Sequence, residues 1–158
     1  MTKYERILDQ AHQDDVTVYE NYNFSKRIKG LYCNGSIALK KDMDTVEKAC
    51  VLAEELGHHY TATGDIIDQS TVENRKQEMR GRLVAYNNMV GLRGLVDAYN
   101  HHCRNLGDVA DYLEVTPEFL HETIDCYRSK YGVYATIDNY VIFFEPCLGV
   151  LEIQNNIN

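Results

Sequence analysis

Three side chains in the run LAEELGHHYTATGD, Glu54, Glu55 and His58, have types and spacing that can do chemistry. On an α-helix, residues four apart lie one turn above each other, so Glu54 and His58 can point at a single ion. Glu55 sits beside them, turned by about 100°. The register follows the zinc-protease pattern H-E-x-x-H, in which two ligands one turn apart hold the metal and the glutamate between them activates a water. Glu54 stands where that pattern has its first histidine. Paired glutamates on a helix are also the ordinary make-up of a solvated face, and the residues alone leave both readings open.

A catalytic zinc needs a third protein ligand and one open position for water. On the helical projection Glu54 and His58 lie away from the apolar stripe Val46, Ala49, Cys50, Ala53, Gly57 and Tyr60, free to face another helix. The next helix offers Glu73 and Glu78. Glu78 lies one or two turns inside it, on the side of Ala85 and Met89, and is the expected third ligand. Glutamate oxygen is an acceptable zinc ligand, but replacing a histidine by Glu54 adds negative charge, weakens the ion as a Lewis acid and can admit manganese or another oxygen-preferring ion. An apo form is also expected to exist.

The elements that must position these groups are legible in outline. Thr2 is a fitting N-cap for an amphipathic helix over about residues 3–12. The runs VTVYENYNF and RIKGLYCNGSIAL read as strands, with Asn34-Gly35 as a tight hairpin turn. Asp44 and Glu47 form a capping-box-like start for the motif helix, and residues 61–69 read as a connection around Gly64. Ser70 and Glu73 signal a second helix start, with Val72, Met79, Leu83, Tyr86 and Val90 as its stripe, ended near Gly91. A helix follows over about residues 92–103. LGDVADYLEVTPEFLHETIDCYRSKYG then has two helical patterns around Thr116-Pro117, a helix-turn-helix-like arrangement. YATIDNYVIFFEP and LGVLEI read as strands and QNNIN as a polar tail.

These elements predict an α+β fold: a small, mostly antiparallel sheet joined by the final strands, packed on the motif helix, with further C-terminal helices. The expected organisation is a single domain over 1–158, with a metallopeptidase-like core at 15–91, a helical subregion at 92–132 and C-terminal strands at 133–153.

With 44% hydrophobic and 25% charged residues, the chain has ordinary globular usage. No apolar run approaches the roughly 18 residues of a membrane span, and the charged N-terminus carries no apolar signal segment, so a cytoplasmic location is expected. Five cysteines, an odd number with no C-x-x-C pair, fit reduced thiols. Cys50 falls on the apolar stripe and reads as a buried hydrophobe. A net charge of −8 argues against nucleic acid as a direct partner.

The runs ACVLAEELGHHYTATGDI and NRKQEMRGRLVAYNNMVGL resemble the ImmA/IrrE family of metallo-endopeptidases, in particular short forms carried by phages and integrative elements of Gram-positive bacteria. The resemblance is strong over about residues 15–90 and extends to the helix-turn-helix-like region. It implies a hairpin, here GLYCNGSIAL, leading into the motif helix with Glu54, Glu55 and His58, and a second helix whose glutamate completes the site. Glu78, followed by Gly81, Val84 and Ala85, matches that second pattern. Also implied are a zinc cofactor and a protein substrate, a helix-turn-helix repressor of the mobile element whose cleavage relieves repression.

Two other functions stand beside this one. LGDVADYLEVTPEFL is similar to the start of a DNA-binding helix-turn-helix, although Glu118, Glu122 and Asp125 would oppose phosphates. A catalytically silent anti-repressor would bind the repressor without cutting it, using acidic and aromatic side chains against a basic surface. His59 is expected to meet solvent or to support the site from behind. His12, His101, His102 and His121 read as surface residues, and Tyr60 or Tyr86 as an oxyanion stabiliser.

Overall fold

The computed structural model describes residues 1–25, 27–62 and 72–154, the side chain of Val72 apart. The expected cap at Ser70, most of the 61–69 connection and the end of the QNNIN tail lie outside the described residues. Those described form two compact units, Met1–Met89 and Val90–Asn158.

The first unit starts with helix α1 (Lys3–Gln13), where Thr2 and Glu5 form a reciprocal capping box. Strands β1 (Thr17–Tyr22), β2 (Gly30–Cys33) and β3 (Ser36–Lys40) make a sheet in the order β1-β3-β2. Asn34 and Gly35, with φ of 46° and 77°, close the β2–β3 hairpin as their types demand. The sheet is mixed, because β1 runs parallel to β3. Ile37 and Leu39 alternate with Ser36, Ala38 and Lys40 and are fully buried beneath helix α2 (Thr45–Thr61). At the head of α2, Asp44 accepts the Glu47 N–H at 2.8 Å, while the Glu47 side chain turns to Lys29 at 2.7 Å instead of closing the box.

Helix α3 (Val72–Met89) packs along α2. Its buried face is Gly81, Ala85, Tyr86 and Met89. The stripe read from large residues was rotated, and Met79 is exposed. A ridge of small residues meets α2, and periodicity of bulky side chains does not register it.

The second unit opens at Gly91, whose φ of 67° breaks the chain between α3 and helix α4 (Gly91–Asn100). Helices α5 (Leu106–Leu113) and α6 (Pro117–Tyr131) flank the predicted turn. Glu114 caps α5 in the left-handed region, Thr116 accepts the Phe119 N–H at 3.1 Å, and Pro117 takes N1. Strands β4 (Tyr134–Ile137), β5 (Tyr140–Phe143) and β6 (Gly149–Glu152) form a separate antiparallel meander packed on α4 and α6. The expectation that these strands join the first sheet is therefore corrected. Their short connections pair them with one another, and Ala135 and Ile142 bury their inner face.

Candidate functional site

Gly57 and Gly81 face each other where α2 crosses α3. A Cβ on Gly57 would collide with the Gly81 carbonyl oxygen, and one on Gly81 would lie 3.2 Å from Thr61 Oγ1. Only glycines let the two backbones meet this closely. Thr61 Oγ1 donates to the Gly57 carbonyl at 3.0 Å and Gln77 donates to the Thr61 carbonyl, which ties off the crossing.

One residue beyond Gly57 on α2, and three before Gly81 on α3, His58 and Glu78 meet. His58 Nδ1 lies 3.4 Å from Glu78 Oε2, with both side chains about one-third exposed. The other oxygen, Glu78 Oε1, accepts from Arg82 Nε at 3.3 Å. Thus the glutamate favoured by projection reaches the motif histidine. Arg82 was missed, although its i,i+4 spacing from Glu78 could have signalled it.

Glu55 points to the sheet side. Its carboxylate accepts the backbone N–H of Tyr32 on β2, and burial, then the charges of Glu54 and Glu78, push its pKa up to about 7. Gly30 on β2 makes the space. A Cβ there would lie 2.6 Å from Val51 Cγ1 and 3.2 Å from Glu55 Cγ. A carboxyl group titrating near neutrality can take and return a proton at working pH, the property a general base needs.

His59 does not simply meet solvent. Its Nδ1 is 2.9 Å from the Tyr32 hydroxyl, which also accepts the Gly35 N–H at 3.3 Å. Tyr32 therefore touches the motif helix twice, through its N–H at Glu55 and its phenol at His59. Strand periodicity gave no sign of this, since it arises from the β2–α2 approach. Tyr60 is turned away from any oxyanion role: it donates to Asp14 and accepts from Gln10, both at the C-terminal end of α1. Tyr86 is buried in α3. His12, His101, His102 and His121 are exposed, with His101 stacked on Tyr112, and Cys50 is buried as expected.

The donor chemistry can be tested against a metal. Two zinc ligands at about 2.0–2.2 Å in a tetrahedron stand roughly 3.4 Å apart, the separation of His58 Nδ1 and Glu78 Oε2. An imidazole and a carboxylate are suitable donors, and Glu54, one turn earlier on α2, is of suitable type. The pair His58 and Glu78 therefore fits two ligand positions, while among the described residues no group of three such side chains is gathered.

A family model described as Peptidase M78, IrrE N-terminal-like domain, matches residues 5–125. No curated protein and no solved structure matches the chain.

Proposed function

This chain belongs to the Peptidase M78 family of the IrrE N-terminal-like domain, and we propose that it is a metal-dependent endopeptidase cleaving a helix-turn-helix repressor of a phage or mobile element in a bacterial cytoplasm. The observation that carries this reading is the meeting of His58 and Glu78 at 3.4 Å, with the half-buried Glu55 beside His58 on the motif helix. Glu54, His58 and Glu78 would hold the ion, zinc or, given two carboxylates, manganese. Bound there, a divalent ion would polarise the scissile carbonyl and acidify a water. Glu55, with a pKa pushed up to about 7, is suited to take a proton from a water in the site and to return one to the departing amine. Tyr32 fixes where Glu55 stands by donating its backbone N–H, and Gly30 keeps β2 close enough for that bond.

The exposed acidic face of α6, with Glu118, Glu122 and Asp125, favours a basic protein over DNA as the partner. No helix among the described residues is long and apolar enough to cross a membrane.

The test is metal analysis of protein purified without chelator, followed by co-expression of Glu55→Gln with a candidate helix-turn-helix repressor. Retained metal with cleavage slowed by about 10²–10⁴-fold supports the peptidase. Absence of metal, with the repressor bound but uncut, would instead support the catalytically silent anti-repressor.

A further inference from the structure

Away from the carboxylate site, the second unit contains a cavity of about 210 Å³ whose wall includes Leu95, Val109, Leu148 and Val150 together with two thiols, Cys103 and Cys147. The thiols come from different elements. Cys103 follows α4, half-buried, with its Sγ 3.6 Å from the Asp108 carbonyl oxygen. Cys147 is exposed on the short connection between β5 and β6. That connection is held at its start, where Arg128 donates twice to the Phe144 carbonyl at 3.2 and 2.9 Å, and at its end by the pairing of Gly149 with Phe143. Cys147 lies between the two anchors.

We infer that Cys103 and Cys147 are a modification site for hydrogen peroxide, with Cys147 the attacking thiol and Cys103 the resolving one, closing the cavity with a disulfide. The roles follow from exposure: Cys147 meets solvent, whereas Cys103 is half-buried, and burial and then the Asp108 charge raise its thiol. In the first step the Cys147 thiolate attacks one peroxide oxygen. The O–O bond breaks, the leaving oxygen takes the thiol's proton to become water, and Cys147 becomes a sulfenic acid. In the second step Cys103 sulfur attacks Cys147 sulfur, the S–O bond breaks, and the hydroxide released takes the Cys103 proton to form a second water. Two thiols are oxidised by two electrons in all, and one peroxide is reduced to two waters. The apolar cavity is the space across which the β5–β6 connection moves to bring the sulfurs to about 2.05 Å.

The experiment uses the full chain treated with stoichiometric hydrogen peroxide, then alkylated, digested and weighed by mass spectrometry. The reduced protein takes a label on each of its five cysteines. The oxidised protein should lose two of these labels and yield a Cys103–Cys147 linked peptide lighter by two hydrogens. Cys103→Ser should leave Cys147 as a sulfenic acid trapped by dimedone, and Cys147→Ser should leave Cys103 a thiol. Cys33→Ser, at an exposed cysteine of β2, should leave the linkage unchanged. Far-ultraviolet circular dichroism checks that each variant is folded. The proposal is overturned if folded wild type forms no such linkage, if Cys147 links between chains, or if Cys147 over-oxidises equally fast with and without Cys103.

Discussion

The units Met1–Met89 and Val90–Asn158 are built alike, helices against a three-stranded sheet, yet they bury different things. At the α2–α3 crossing the first unit buries almost no side-chain bulk: Gly57, Gly81 and Ala85 bring the backbones together. The second is filled by large side chains, Tyr127, Phe144, Leu120 and Ile142, with Tyr131 stacked on Phe144, and its buried polar side chain, Thr123, is satisfied by the Phe119 carbonyl at 2.8 Å. Close backbone approach lets short-range polar groups on two helices reach one another, which is how His58 meets Glu78. Aromatic packing holds helices apart and stabilises by buried area instead. The α2–α3 crossing brings charged groups together, while the aromatic cluster fills the core of the second unit.

Four substitutions press on this difference. The largest loss is expected at Phe144→Ala, because deleting a fully buried aromatic ring costs about 3–5 kcal/mol. Urea denaturation followed by circular dichroism measures it. A loss under about 1 kcal/mol would show that the second unit does not depend on its aromatic core. Next is Gly57→Ala, whose added methyl strikes backbone that cannot turn aside. Destabilisation near the upper end of the 1–3 kcal/mol typical of overpacking is expected, with loss of metal uptake as His58 and Glu78 separate.

Glu55→Gln, measured in chelated protein, should stabilise the fold in a pH-dependent way. Its raised pKa means that the native state holds a proton the unfolded chain has released. Wild-type stability is therefore full below the usual carboxylate range and falls as pH rises toward about 7. Glutamine, always neutral, escapes that fall, and the variant should gain on the order of 2–3 kcal/mol above pH 7 and little at pH 4. A gain that does not vary with pH would show that Glu55 is not desolvated. The smallest effect is expected at Thr116→Ala, which removes the α6 cap at a cost of about 1 kcal/mol, seen as a lower Tm without change at Glu55.

Much of the local structure was legible in the residues themselves. Thr2, Asp44 and Thr116 cap the helices they precede, Asn34-Gly35 turns the hairpin, and Thr116-Pro117 opens α6. Each is a short-range event whose partners lie within four residues. The projection of Glu78 onto the side of Ala85 and Met89 was legible for the same reason. The apolar stripe of α3, the separate C-terminal sheet and the double hold of Tyr32 on α2 were not. Each depends on which distant surface an element meets.

By itself, then, the sequence determined which residues share a helix face, where helices begin and which turn joins β2 to β3, because backbone sterics and capping bonds act over one or two turns. Only the tertiary structure decided that Glu78 meets His58, that Tyr32 holds Glu55, and that the last three strands form a sheet of their own. Those encounters are governed by how closely two backbones can approach, and at Gly30, Gly57 and Gly81 that approach rests on the absence of a side chain, which leaves no hydrophobic pattern to read.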